Sequence, residues 1–163
     1  MHWKYSGSLS GIIVLFMVGC SGFKSVDQTF KSAEALRNSG KMLAAIEQLN
    51  TIVLEHRAHK RAAEAQYLIA EIYYRDLKDF KQAIENYQKI DELFPESAQI
   101  PYALFMQGFI NANVLADFSV ADTIYRKFLI LYPEHELAPS VEFELKYLGK
   151  DIDEIPELKD IAS

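Results

Sequence analysis

Apolar residues recur along most of the chain at spacings of three and four, the pattern of helices that bury one face. Residues 61–75 predict one such helix, residues 76–79 a turn, and residues 80–94 a second helix. Pro95 then ends the second helix, because proline cannot continue it and forces the preceding residue toward extended geometry. The pattern therefore predicts paired helices and an all-α fold.

The helix pair is repeated along the chain. Residues 64–97 placed over residues 102–135 give eleven identities in 34 positions. The identical pairs are Ala65/Ala103, Ile72/Ile110, Leu77/Leu115, Asp79/Asp117, Phe80/Phe118, Ala83/Ala121, Tyr87/Tyr125, Lys89/Lys127, Leu93/Leu131, Pro95/Pro133 and Glu96/Glu134. At the same offset upstream, Ala45, Ile46, Glu47 and Ile52 precede Ala83, Ile84, Glu85 and Ile90 and mark another copy. A period of about 38 residues indicates a solenoid, here of three units.

The repeat resembles the tetratricopeptide (TPR) pattern L-G-x-x-Y…A-x-x-x-F…P. The second unit matches it at Ile69-Ala70-x-x-Tyr73, at Ala83-x-x-x-Tyr87 and at Pro95. The resemblance covers about residues 27–136 and implies an all-α TPR solenoid of about three helix-turn-helix repeats. We expect three small-residue pairs to let the paired helices approach closely, with Tyr87 and Tyr125 filling the space beyond. These pairs are Ala33/Ala45, Ala70/Ala83 and Gly108/Ala121.

The predicted units span residues 27–60, 61–97 and 98–138, and residues 139–163 are expected to form a capping helix and an irregular tail. A solenoid end requires a cap with one polar face. We expect that face to carry Glu142, Glu144, Lys146 and Lys150, which alternate with Val141, Phe143, Leu145 and Leu148.

The apolar run at residues 9–18 is too short for a membrane-spanning helix, which needs roughly 20 residues. It is typical of the hydrophobic part of a signal peptide. Met17-Val18-Gly19-Cys20 resembles the lipobox of bacterial lipoproteins, whose signal is removed before a cysteine that becomes lipidated. The sequence thus predicts a signal peptide at residues 1–19, followed by lipidated Cys20 and a short tether at residues 20–26. The alternative is an ordinary secretory signal that happens to contain a cysteine.

TPR units behind a lipobox resemble the outer-membrane assembly lipoproteins of the BamD type. They resemble less closely the TPR lipoproteins of envelope division systems. BamD-type proteins have about five units, whereas this chain has three. By resemblance to enteric lipoproteins, Ser21 after the cysteine favours the outer membrane, with the folded part held on its periplasmic side.

Composition and charge argue against several classes of function. The chain has 17 basic and 23 acidic residues and a net charge of −6, without a basic cluster of the size that nucleic-acid binding needs. Its one cysteine has no partner for a disulfide. His56 and His59 could share a helix face, but no carboxylate or cysteine completes a metal set, and His135 is expected only to cap a helix end. The sequence predicts no metal, no cofactor, no small-molecule substrate and no catalytic constellation. A small envelope enzyme is the competing class.

In TPR proteins the first helix of each unit lines the concave face, at the positions three before and one, four and five after the small residue. Carried onto this chain, those positions are Phe30, Glu34, Arg37 and Asn38 in unit one, Tyr67, Glu71, Tyr74 and Arg75 in unit two, and Phe105, Phe109, Ala112 and Asn113 in unit three. Phe30, Tyr67 and Phe105 form an aromatic ladder, and the alternative interpretation is that they fill the core. The resemblance implies a membrane-anchored periplasmic scaffold that binds an envelope protein or peptide, in outer-membrane protein assembly. The alternative role is that of an accessory lipoprotein in a division or peptidoglycan system.

Overall fold

The computed structural model describes residues 25–156 and contains seven α-helices in this part of the chain. They are α1 (Val26–Asn38), α2 (Met42–Glu55), α3 (Arg61–Glu71), α4 (Phe80–Leu93), α5 (Ile100–Asn113), α6 (Phe118–Leu131) and α7 (Ala138–Lys146). A π-helical segment, Ile72–Leu77, continues α3, and a 3-10 turn, Ile152–Glu154, follows α7. No β-strand occurs among the described residues, and the all-α prediction is confirmed.

The predicted signal peptide and lipidation site at Cys20 lie outside the described residues, as does the chain beyond residue 156. None of the seven helices is both long and apolar enough to cross a membrane.

The helices pack in chain order as three pairs, α1 with α2, α3 with α4 and α5 with α6, and α7 packs against α6. Three hydrophobic clusters hold them together, and each combines one helix pair with the first helix of the next unit. Because each unit completes its core with its neighbour, the units stack as a solenoid. The predicted TPR-like solenoid of three helix pairs and a C-terminal helix is confirmed.

The small residues lie inside the hydrophobic clusters that the paired helices share. Ala33, Ala45, Ala70, Ala83 and Ala121 have no exposed surface. In the third unit the closest contact of Gly108 is the buried ring of Tyr125 rather than Ala121, because a Cβ added to Gly108 would overlap with that ring.

The second and third units are one residue longer than the first between their small positions. The stretches compared run from Ala33 to Ala45, from Ala70 to Ala83 and from Gly108 to Ala121. The structure accommodates the extra residue at the end of the first helix.

The turn after the first helix differs accordingly. In unit one Gly40 is left-handed (φ 79°), and the Lys41 N–H donates to a carbonyl five residues back at 2.9 Å. In unit two Lys78 is left-handed (φ 56°), and the Asp79 N–H donates to the Tyr73 carbonyl six residues back at 2.9 Å. The third unit repeats this arrangement with Ala116 (φ 54°), Asp117 and Asn111.

The repeated aspartates begin the second helices. The Asp79 carboxylate accepts a hydrogen bond from the Gln82 N–H, and the Asp117 carboxylate accepts one from the Val120 N–H, both at 3.1 Å. A side-chain cap of this kind satisfies a backbone donor that the helix itself leaves unpaired. The identity of Asp79 and Asp117 between the repeats therefore has a local physical cause.

The helix α7 follows α5 at the repeat offset, and both helices have a proline in the first turn. It occupies the place of a fourth first helix. Leu104, Gly108 and Ala112 are the positions at which α5 meets α6. At the repeat offset, the corresponding residues of α7 and the turn after it are Glu142, Lys146 and Lys150. A further second helix would have to bury these charges at high cost. This side of α7 therefore ends the solenoid.

One detail of the predicted cap is wrong. Phe143 is 36% exposed, whereas Glu144 is partly buried and accepts hydrogen bonds from Asn113 Nδ2 at 3.1 Å and Tyr125 Oη at 3.4 Å. An alternation of period two describes a strand, whereas residues three apart share a helix face. That spacing places Glu144 on the side of α7 that also carries the buried Val141.

Enlarging a crossing alanine tests the packing. We expect Ala83→Leu and Ala121→Leu each to lower the free energy of unfolding by about 1–3 kcal/mol, because added methylenes in a close-packed contact force neighbours apart. The measurement is urea unfolding followed by circular dichroism. Lys81→Leu and Ser119→Leu, at exposed positions on the same helices, are the matched controls. Equal midpoints for all four variants would show that the crossings do not depend on small residues.

Candidate partner-binding face

The outward sides of α1, α3, α5 and α7 form one surface, which we name the first-helix face. Its central part is aromatic. Tyr67, Tyr74, Phe105 and Phe109 are each partly exposed there, on α3 with its π-helical extension and on α5. These four rings of the predicted groove residues thus keep part of their surface open to solvent on the first helices of units two and three.

These half-exposed rings rest on other rings. Tyr67 contacts the buried Tyr87 edge to face, with 5.3 Å between ring centroids. Phe105 lies 6.5 Å from the ring of the buried Tyr125 and 6.0 Å from that of Phe109. Burial, together with the nearby carboxylate of Glu71, raises the pKa of Tyr67. The aromatic surface is therefore supported from the core.

Unit one differs, because Phe30 belongs to the core. It is 6% exposed, and the Arg61 guanidinium lies 4.6 Å from its ring centroid. The core interpretation applies to Phe30, and the described aromatic surface begins at Tyr67. The other unit-one residues in the predicted groove are polar, with Glu34 and Asn38 exposed and Arg37 partly buried.

Arg37 and Glu71 join two units. Arg37 Nε lies 2.7 Å from Asp76 Oδ2, and its Nη1 lies 3.7 Å from Glu71 Oε2. Glu71 also pairs with Arg75, whose Nε is 3.4 Å from Glu71 Oε1. These groups connect α1 with α3 and its π-helical extension, so part of their predicted binding capacity is used within the molecule.

Asn113 also connects two elements, here α5 and α7 at the C-terminal end of the described solenoid. Its Nδ2 donates to Glu144 Oε2 at 3.1 Å and to the Phe109 carbonyl at 3.3 Å. Burial, and after it the Glu144 carboxylate, raises the pKa of Tyr125. Ala112 is buried, at 8% exposure. Asn113 therefore helps to fix α7 against α5.

The sequence interpretation missed part of this surface on α7. At the repeat offset, Phe143 corresponds to Phe105, and Tyr147 corresponds to Phe109. The centroids of the Phe143 and Tyr147 rings are 5.0 Å apart, which repeats the Phe105–Phe109 pairing. Tyr147, directly after α7, is buried at 8% exposure, so Phe143 alone adds to the exposed surface. Extending the repeat comparison beyond residue 135 would have found both residues.

The histidines of the loops have local structural contacts. His59 Nδ1 accepts the Arg61 N–H at 3.1 Å, and His135 Nδ1 accepts the Leu137 N–H at 3.2 Å. Ser97 takes the same place in the loop between them. Among residues 25–156 no group of three or more His, Cys, Asp or Glu side chains could hold a metal ion.

Three stacked helix pairs, a charged end helix and an aromatic first-helix face define a TPR-like solenoid of the kind that binds other proteins. The chain matches the YfiO family, described as an outer membrane lipoprotein, over residues 23–152. It belongs to this family and is an outer membrane lipoprotein. No curated protein matches the chain.

The ion pairs of Arg37 lead to a prediction about stability. We expect Arg37→Met to lower the free energy of unfolding by about 1 kcal/mol, because it removes the two ion pairs of Arg37 with the second unit while keeping the apolar stem. Urea unfolding at low and high salt measures the effect, which should shrink as salt screens the wild-type pairs. Lys31→Met, at an exposed position of the same helix, is the control. A loss no greater than that of Lys31→Met would show that the pairs contribute nothing measurable.

Proposed function

We propose that this lipoprotein is a non-enzymatic periplasmic scaffold that binds a protein partner on its first-helix face, in the assembly of outer-membrane proteins. The family places the chain at the outer membrane. The proposed partner is an envelope protein or a segment of one, and the proposed attachment to the membrane is the lipid on Cys20.

The observation that carries the proposal is the row of partly exposed aromatic rings along the first helices. It comprises Tyr67, Tyr74, Phe105, Phe109 and Phe143. Aromatic side chains offer large contact areas with little conformational freedom to lose, and they are enriched in protein interfaces. The outward side of the neighbouring second helix α4 has a different composition, with Lys81, Glu85, Gln88 and Glu92.

The unit-two and unit-three parts of the row differ in chemistry, which supports recognition with a direction. In the unit-two part, Arg75 pairs with Glu71, follows Tyr74 in the chain and is exposed. In the unit-three part, Phe105 and Phe109 are adjacent rings, and the residues between them in the chain are uncharged. A partner segment with apolar side chains along its length and an acidic group near Arg75 would fit both parts.

Removing the exposed rings tests the proposal. We expect Tyr74→Ala, Phe109→Ala and Arg75→Ala each to weaken partner binding by roughly 1–3 kcal/mol, because binding energy concentrates in a few aromatic and arginine residues. Tyr67→Ala should weaken binding as well, but it also removes a contact to Tyr87 and so requires a stability measurement beside it.

A photo-crosslinking amino acid at position 74 or 109 in intact cells should trap one dominant envelope protein, which also supplies the partner for the binding assay. The same probe at Glu85, on the second-helix side, is the control. Crosslinks to the same protein from position 85 alone, with binding unaffected by the three substitutions, would place the partner site on the other side of the solenoid.

The anchor has its own test. We expect Cys20→Ser to abolish incorporation of a labelled fatty acid and to release the protein from the membrane fraction, because a thiol is needed for the thioether-linked lipid. Fatty-acid labelling and fractionation of cells expressing either chain measure this. Label retained by the Cys20→Ser chain would show that lipidation does not depend on this thiol.

A further inference from the structure

The three loops that join one unit to the next occupy equivalent positions in the repeat but differ in charge. Residues 57–61 contain three basic residues (Arg57, Lys60 and Arg61) and no acidic one, a formal charge of +3. Residues 95–99 contain one acidic residue, Glu96, and residues 133–137 contain two, Glu134 and Glu136, which gives −1 and −2. The loop edge of the solenoid therefore changes from basic to acidic along the chain.

The basic loop lies next to the N-terminal end of α1. Asp27 in the first turn of α1 pairs with Arg61, with 2.9 Å between Oδ1 and Nε. Ser25, the cap of α1, lies five positions after Cys20, and five steps of extended chain span at most about 18 Å. A lipid on Cys20 would therefore hold this loop close to the bilayer, whereas the two acidic loops belong to units further from the anchor.

The surface beside this loop combines an apolar side chain with unpaired positive charge. Leu54 is 78% exposed at the end of α2. Lys60 is exposed and has no ion pair among the described residues, and Arg57 uses its guanidinium on the Leu93 carbonyl, at 3.0 Å, rather than on a carboxylate. Arg61 is neutralised by Asp27 and Glu64. Within residues 54–60, Arg57 and Lys60 against the exposed Glu55 give a formal excess of one positive charge.

We propose that this surface, formed by Leu54, Arg57 and Lys60, contacts the phosphate headgroups of the bilayer that holds the lipid on Cys20. Basic residues next to an anchor add to the affinity for anionic membranes, and a single apolar side chain can enter the boundary between headgroups and acyl chains. Anionic headgroups would repel the two acidic loops. The solenoid then stands on its first unit, and the part of the aromatic row on α5 and α7 belongs to the units further from the bilayer. This inference rests on lipidation at Cys20 and concerns the orientation of the molecule, beyond its proposed partner binding.

Three labels at the same repeat position test the orientation. Ala58→Cys, Glu96→Cys and Glu134→Cys each introduce a cysteine at an exposed, equivalent position of one loop. The lipidated chain is reconstituted into vesicles of phosphatidylethanolamine and phosphatidylglycerol, floated, and labelled with a fluorescent maleimide. The unsubstituted chain should take no label, because the lipid occupies its only thiol. Quenching by brominated lipids should be strongest at position 58, weaker at 96 and weakest at 134.

A second set of variants separates surface contact from simple tethering. In the chain labelled at position 58, adding Leu54→Ser together with Lys60→Ser should reduce the quenching to the level seen at position 96. Vesicles of phosphatidylcholine alone should reduce it to the same level. Ile130→Ser is the matched control, because Ile130 occupies the position of Leu54 in unit three and is equally exposed at 78%. It should leave quenching at 58 unchanged.

Equal quenching at all three positions, or quenching at 58 that survives Leu54→Ser with Lys60→Ser, would overturn the proposal. So would labelling of the unsubstituted chain, since the anchor would then be absent. Partner binding is measured separately with the Tyr74 and Phe109 variants, so a failure of the proposed function leaves this result interpretable.

Discussion

The close approach of paired helices at small residues is the constraint on which the rest of the structure depends. Ala83 and Ala121 are fully buried in the second helices, and a buried tyrosine lies one turn further along each. In the third unit the fit is close, because the ring of Tyr125 occupies the space that a side chain on Gly108 would need. Dense packing of this kind leaves little slack, so the size of these residues limits how closely the two helices can approach.

The buried tyrosines connect this packing to the surface. Tyr87 supports Tyr67, and Tyr125 supports Phe105. The half-exposed rings of the first-helix face are therefore held by residues that also fix the helix crossings. A preorganised ring loses little freedom when it meets a partner, which is one way a small interface reaches useful affinity.

Much of the fold could be predicted, because the information was local or periodic. Helix ends followed from Pro95 and from the turn residues, and the repeat followed from identities between successive units. The residues that were misplaced depend on contacts between units. Phe30 is covered by Arg61 of the next unit, and Arg37 is paired with Asp76, also of the next unit. The local sequence pattern gives no sign of either contact. Both contacts occupy side chains that were predicted to bind a partner.

The end of the solenoid shows how one helix can serve two purposes. On the side where a further second helix would pack, α7 carries Glu142 and Lys146, which prevents the stack from continuing. On the first-helix face it carries Phe143, which extends the aromatic row by one more helix. Helical periodicity makes this possible, because residues one apart point in directions about 100° different. Among the described residues the aromatic row thereby extends over three first helices, α3, α5 and α7, while the side of α7 that a further second helix would meet stays charged.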